Sequence, residues 1–156
     1  MTADALQTYL HDHIPLSHAM QVSVRAVTAD ALTLEAPLAP NINHRDTVFG
    51  GSASALAILS AWSLVHTKLA TEGLKARLVI QSNTVHYDQP IAGTFQSTAI
   101  LATPADWPRF LAMFRRRGKA RITVAAILTE NGQAAGRFEG SFVALAMDDA
   151  EVQSRA

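Results

Sequence analysis

The sequence contains no cysteine, which excludes disulfides, thiolate metal sites and a cysteine nucleophile while leaving the redox compartment open. It has no charge imbalance either: 13 Lys and Arg face 13 Asp and Glu. Nothing therefore draws the chain as a whole to nucleic acid or anionic lipid, and any preference for anions has to be local. The first residues, Met-Thr-Ala-Asp-Ala-Leu-Gln, lack a basic stretch followed by an apolar core, so no signal peptide is expected and the expected location is cytoplasmic. A Gly-x-Ser-x-Gly elbow is missing, and the six histidines show no His-x-x-x-His or comparable spacing. A serine hydrolase of the elbow type and a zinc site are both rejected on that ground. There is no internal repeat, low-complexity segment or interdomain linker. Residues 1–156 read as one domain, large enough to bury about two thirds of the unfolded surface. At 49% hydrophobic and 17% charged residues the chain is globular rather than disordered.

The feature that organises the rest is Thr47 to Thr67, which carries no formally charged residue. It reads as a helix buried on nearly every side. Ser52, Ser54, Ser60 and Ser63 favour a protein core over a membrane span. Gly50, Gly51, Ala53, Ala55, Ala57 and Ala61 leave so little bulk on part of its surface that other backbone can approach closely.

Around it, Ala5 to His11 reads as a short amphipathic helix with Leu6, Tyr9 and Leu10 on one side, a lid ending before Ile14-Pro15. Val22 to Ala26 and Leu32 to Ala36 alternate as a hairpin of half-buried strands. A polar loop, Asn41-Ile-Asn-His-Arg-Asp46, leads into the buried helix. Ala76 to Tyr87, long and β-branched, reads as a central strand, and Thr94 to Ala102 as another with Phe95, Ser97, Ala99 and Leu101 on one face. Thr103-Pro104-Ala105-Asp106 has the pattern of a helix start capped by Thr103. Trp107, Phe110, Leu111 and Phe114 follow at helical spacing, and Gly118 suits the position past the helix end. Ile122 to Leu128 alternates before Asn131-Gly132, a strong hairpin signal, and Ala134 to Leu145 is the returning strand. The tail from Met147 is polar and expected to fray. This is an α+β arrangement in which one antiparallel sheet wraps around one long central helix.

The run Asn41-Ile-Asn43 through Thr47-Val-Phe49-Gly50-Gly51, the later Val85-His-Tyr87-Asp-Gln-Pro90, and Gly118-Lys-Ala-Arg121 before a hairpin resemble the hotdog-fold thioesterase superfamily. Within it they resemble most the thioesterase domain that in some bacterial proteins follows an acetyltransferase domain, over Ile14 to Leu145. The resemblance implies a homodimer or homotetramer in which two sheets join edge to edge. It also implies sites at the subunit interface for acyl-CoA, or an acyl carrier protein thioester. Neither a cofactor nor a metal is implied, and neither nucleic acid nor membrane is an expected partner.

A thioester hydrolase needs donors for a developing oxyanion and a positioned water. Gly50 and Gly51 open the helix, where free N–H groups and a partial positive charge are found; close helix-strand crossing would explain the same glycines. Asn43 and Asp46 are spaced to orient a water or the thioester, although Asn and Asp also belong at caps and turns for local reasons. Many hotdog thioesterases carry an Asp or Glu about two turns into the helix. Here that turn reads Ala57-Ile58-Leu59, so another polar residue must serve. Of Ser82 and Asn83, Ser82 is the one expected to face the helix. His86 lies about 13 Å further along the same strand face, too far for a Ser-His pair. Phe49, Trp62, His66, His86 and Tyr87 are expected near an acyl pocket, with core packing the commoner role for most of them.

Arg115-Arg-Arg-Gly-Lys-Ala-Arg121 places five cations in seven residues. Cations at a helix end are favoured by the macrodipole, and nucleic-acid binding would want interleaved aromatics. Arg115, Arg116, Lys119 and Arg121 are assigned to the CoA phosphates, which Arg binds bidentately. The expected function is acyl-CoA hydrolysis by water attack. The alternatives are a non-catalytic acyl-CoA-binding module and a hotdog enoyl-CoA hydratase or dehydratase, the latter suggested by Asn41-Ile-Asn43-His44 but lacking an acid in register.

Overall fold

In the computed structural model, which describes residues 1–147, helix α1 (Ala3–His13) begins at Thr2, whose Oγ1 accepts from the amide of Ala5 (3.2 Å). It buries Leu6 and Leu10 completely. Helix α2 (Pro15–Ala19) follows, opened by Pro15, whose fixed φ suits a first turn. The hairpin forms as β1 (Ser23–Val27) and β2 (Ala31–Ala36). A 3-10 turn at Ala39–Asn41 then leads to the long helix α3 (Gly50–Thr71). The remainder is β3 (Ala76–Tyr87), β4 (Phe95–Leu101), α4 (Asp106–Arg117), β5 (Lys119–Glu130) and β6 (Gln133–Ala146). The polar tail expected to fray lies, beyond Met147, outside the described residues.

The six strands form one antiparallel sheet in the order β1-β2-β4-β5-β6-β3. Its inner face is curled around α3, as the hotdog arrangement requires. Leu56, Ala57, Ala61, Leu64 and Val65 of the helix and Phe95, Ala99, Val124 and Phe142 of the strands are all closed to solvent. Alanines at 53, 57 and 61 let strand backbone come close. Inside this core Ser60 Oγ meets Ser97 Oγ at 2.7 Å, which satisfies two hydroxyls that would be costly to bury alone. α3 starts at Gly50 and not at Thr47. Val48 is held extended, donating to Ile91 O (2.8 Å) and bridging to Ile42.

Two further expectations are corrected. α4 begins at Asp106 with Ala105 as its cap residue and no side-chain cap; Thr103 contributes its carbonyl, which accepts from the Asp106 amide (3.0 Å), and not its hydroxyl. The strand β3 is not central: it ends the row, paired only with β6, and most of its side chains are exposed, Val79 at 42%. The turns follow expectation. Asn131 and Gly132 both take positive φ (48° and 76°), the geometry of a two-residue hairpin turn. Gly118 (φ 65°) closes α4 by donating to Phe114 O (2.7 Å).

Candidate active site

The N-terminus of α3 is the candidate site. Its cap residue is Phe49, which has no side-chain acceptor, and no side chain caps the helix. The first amide bonded in the helix direction is that of Ala53, to Phe49 O (3.1 Å). The N–H groups of Gly50, Gly51 and Ser52 precede it and are the orphan donors that every helix start presents, here with the macrodipole of a 22-residue helix behind them.

The two glycines face different surroundings. Tyr87 packs over Gly50: its Oη donates to Gly50 O (3.1 Å), and a Cβ at residue 50 would sit 3.6 Å from its ring. Beside them is a cleft of about 270 Å³ edged by Val48, Pro90 and Ile91. Gly51 lies under the ring of Phe49, which occupies the place a Cβ would take. Phe49 is 57% exposed.

The loop before the helix is built by its asparagines. Asn43 Oδ1 accepts from the amides of Arg45 (2.8 Å) and Thr47 (3.2 Å), and its Nδ2 donates to Thr47 Oγ1 (2.9 Å) and Val48 O (3.4 Å). Asn43 is thus engaged in turn chemistry and not aimed at a substrate water. Asp46 is exposed on the same loop at φ 59°. Asn41 is buried; its Nδ2 donates to Met20 O (3.0 Å) and Pro37 O (2.8 Å), and its carbonyl accepts from the Phe49 amide (2.8 Å). It fastens α2 to the residue that starts α3.

Ser82 does not face the helix. The pairing of β3 with β6 slips between Ile80, opposite Phe142, and Ser82, opposite Ser141. Residues directly opposite share a face. Beyond this bulge Ser82, Thr84 and His86 therefore lie outside with Ser141, Glu139 and Arg137. Asn83, Val85 and Tyr87 lie inside with Gly140, Phe138 and Gly136. Ile80 and Val85, five positions apart, both pack on the core, a spacing that only such an extra residue permits. Asn83 is the polar side chain on the inner face, and His86 is removed from the acyl side.

Trp62 half-buries its ring beside β3, donating Nε1–H to Leu78 O (3.0 Å), and stacks on His66 (4.6 Å between centroids). Tyr9 of α1 stacks on His66 from the other element (5.0 Å). Burial pushes the His66 imidazole below its usual pKa. Ile58 and Leu59, in the turn Ala57-Ile58-Leu59 that carries no carboxylate, line an apolar groove with Trp62.

The cation run is divided. Arg115 is held by Glu72 at the C-terminal end of α3 (2.8 Å), and Arg116 leans on Met113 Sδ (3.9 Å). Lys119 and Arg121 instead line a groove of about 520 Å³ between α4 and the sheet, together with Arg109, which the sequence reading did not single out. Glu72, and with it Arg115, lies at the C-terminal end of α3, about 33 Å along the helix from Gly50.

Comparison with known proteins agrees with this fold. Among solved structures, a protein of unknown function from Chlorobaculum tepidum is 27% identical over 93% of this chain and 94% of its own, with a TM-score of 0.86. A structure described as a putative thioesterase from Shewanella oneidensis is 26% identical over 92% of this chain and 96% of its own, TM-score 0.82. A Haemophilus influenzae thioesterase, 11% identical over 94% and 92%, shares the fold at a TM-score of 0.74. Residues 3–146 match the family described as "Putative thioesterase (yiiD_Cterm)", and with nearly its whole length inside that match the chain belongs to this family of hotdog-fold thioesterases.

Proposed function

We propose that the protein is a cytoplasmic, cofactor-independent acyl-CoA thioesterase that works as a homodimer. The observation that carries the reading is the start of α3, where no side chain caps the first amides and Gly50 lines a cleft. A thioester carbonyl placed there accepts hydrogen bonds that strengthen as its oxygen becomes negative. Water adds to the acyl carbon, the carbon–sulfur bond breaks, and the proton released by the water ends on the departing thiol. α3 offers no carboxylate for this, so another polar residue orients the water, and we assign that part to Asn83, on the inner face of β3.

Two distances support a second subunit. About 13 Å of strand separate Asn83 from Tyr87, and hence from its own helix start, and Arg115 of the cation run lies at the far end of α3. Two copies of β3 pairing antiparallel about a two-fold axis lying between Asn83 and Tyr87 would bring Asn83, Lys119 and Arg121 of one subunit toward Gly50 and Gly51 of the other. Lys119 and Arg121, with Arg109, would then take the CoA phosphates. A carrier-protein thioester would use the same donors without needing that groove.

The test is thiol release from a series of acyl-CoAs by the wild type, Asn83→Ala and Ser82→Ala. Asn83→Ala should lose on the order of a hundredfold in kcat, and Ser82→Ala should stay within about twofold. A wild type that binds acyl-CoA and releases no thiol would return the protein to a binding module.

A further inference from the structure

Gly51, Ala55, Ile58, Leu59 and Trp62 follow one another at helical spacing and form a single stripe along α3. Four of them, from Ala55 to Trp62, form one wall of a groove of about 290 Å³ whose opposite wall is Leu16 and Met20 of the α2 segment. The groove is apolar throughout: the hydroxyl of Ser17 at its edge is turned away, donating to Ile14 O (2.8 Å). Its near end is at Ala55, one helical turn after Gly51. Met20 is fixed relative to the start of α3 through Asn41, which bonds both Met20 O and the Phe49 amide. Its far end is closed by Trp62, whose ring is held on both sides, by the bond to Leu78 O and by the His66–Tyr9 stack.

We propose that this groove receives the acyl chain of the thioester and that Trp62 sets the longest chain accepted. The inference rests on the thioesterase reading above. The occupant follows from continuity, since a carbonyl on the Gly51 amide points its alkyl tail along the stripe that starts there. It also accounts for Ile58: a carboxylate at this turn would be buried in the wall of an alkyl channel. From Gly51 to Trp62 the helix rises about 16 Å, and an extended chain gains about 1.2 Å per bond, so the limit falls near a dozen carbons.

The experiment follows turnover of straight-chain acyl-CoAs from acetyl to palmitoyl by the wild type, Trp62→Ala and Ala55→Phe. Wild-type rates should fall beyond lauroyl. The palmitoyl-to-octanoyl rate ratio should rise at least tenfold in Trp62→Ala, where the end wall is removed. The octanoyl-to-acetyl ratio should fall at least tenfold in Ala55→Phe, where the entrance is filled. Because the two variants move the profile in opposite directions, general misfolding cannot imitate the result. Profiles unchanged in both cooperatively folded variants would overturn the assignment. So would unchanged profiles together with a shift from dimer to monomer in sedimentation, which would give the groove to a second copy of the chain. If the wild type releases no thiol, calorimetry with non-hydrolysable acyl-CoA thioethers of the same lengths separates the two readings. A length limit moved by Trp62→Ala keeps the groove and removes the hydrolase, whereas no binding at any length removes both.

Discussion

Replacing Gly51 by Ala tests the oxyanion assignment with the smallest perturbation the chain allows. The added methyl would overlap the ring of Phe49, while the backbone of other elements stays out of reach. Phe49 is largely in solvent, so its ring can rotate aside at about 1 kcal/mol. Against this stands a gain of up to about 1 kcal/mol from replacing glycine in a helix. The two nearly cancel, and the melting temperature should stay within about 3 °C of wild type. Activity should behave otherwise. A methyl beside the Gly51 amide, with the Phe49 ring displaced over the helix start, denies the carbonyl one donor. Loss of one such donor costs about a hundredfold in kcat, or about 2.7 kcal/mol. Gly50→Ala provides the comparison, since a Cβ there makes only ordinary contact with Tyr87 and should lose less. Thiol release and thermal unfolding measured on the same samples separate the outcomes. Full turnover in a Gly51→Ala protein of wild-type stability would show that the amide does not touch the reacting oxygen.

At the open edge, Thr84→Pro removes a backbone donor from β3 and should convert a sedimenting dimer to monomer with loss of turnover; a fully active wild-type monomer at micromolar concentration refutes the composite site. Lys119→Glu with Arg121→Glu should raise KM for acyl-CoA by about tenfold, equivalent to 1.4 kcal/mol, and leave an acyl-pantetheine without the phosphates unaffected. Arg115→Glu, which breaks the pair with Glu72, should change KM less, and an equal effect would restore the whole run to the substrate. His66 is kept neutral by burial, so its folded pKa lies below the ordinary 6.5. The unfolded chain therefore takes up the proton first, and stability present above pH 6.5 is lost as pH falls below it, by up to about 1.4 kcal/mol per unit. His66→Phe should flatten the melting temperature between pH 7 and 5.5, and an unchanged slope would assign the loss elsewhere.

Much of the fold was legible because alternation and capping are local. Phe95, Ser97, Ala99 and Leu101 are all buried as their spacing requires, and Asn131-Gly132 and Gly118 turn where their φ values allow. What was illegible depends on neighbours distant in sequence. Nothing in Ala76 to Tyr87 tells a central strand from a terminal one, because Leu78, Val79, Ile80 and Val85 suit either place in a sheet. The bulge between Ile80 and Ser82 has no glycine or proline to announce it, and without it nothing in the sequence decides between Ser82 and Asn83 for the inner face. The five clustered cations look like one patch in sequence, but Gly118 ends the helix in their midst and sends Arg115 one way and Lys119 and Arg121 another. Arg109, on the preceding helical turns, joins the latter only in three dimensions.

The slip at Gln81 also bears on how the chain avoids becoming a fibre. An uninterrupted twelve-residue edge is a template on which any extended peptide can grow. Near the middle of β3, however, the hydrogen-bonding rhythm breaks, leaving two short segments, Ala76 to Ile80 and Ser82 to Tyr87, whose donors and acceptors are out of step. A regular strand can match one segment and must then mismatch the other. The irregularity thus discourages open-ended addition of extended chains along this edge.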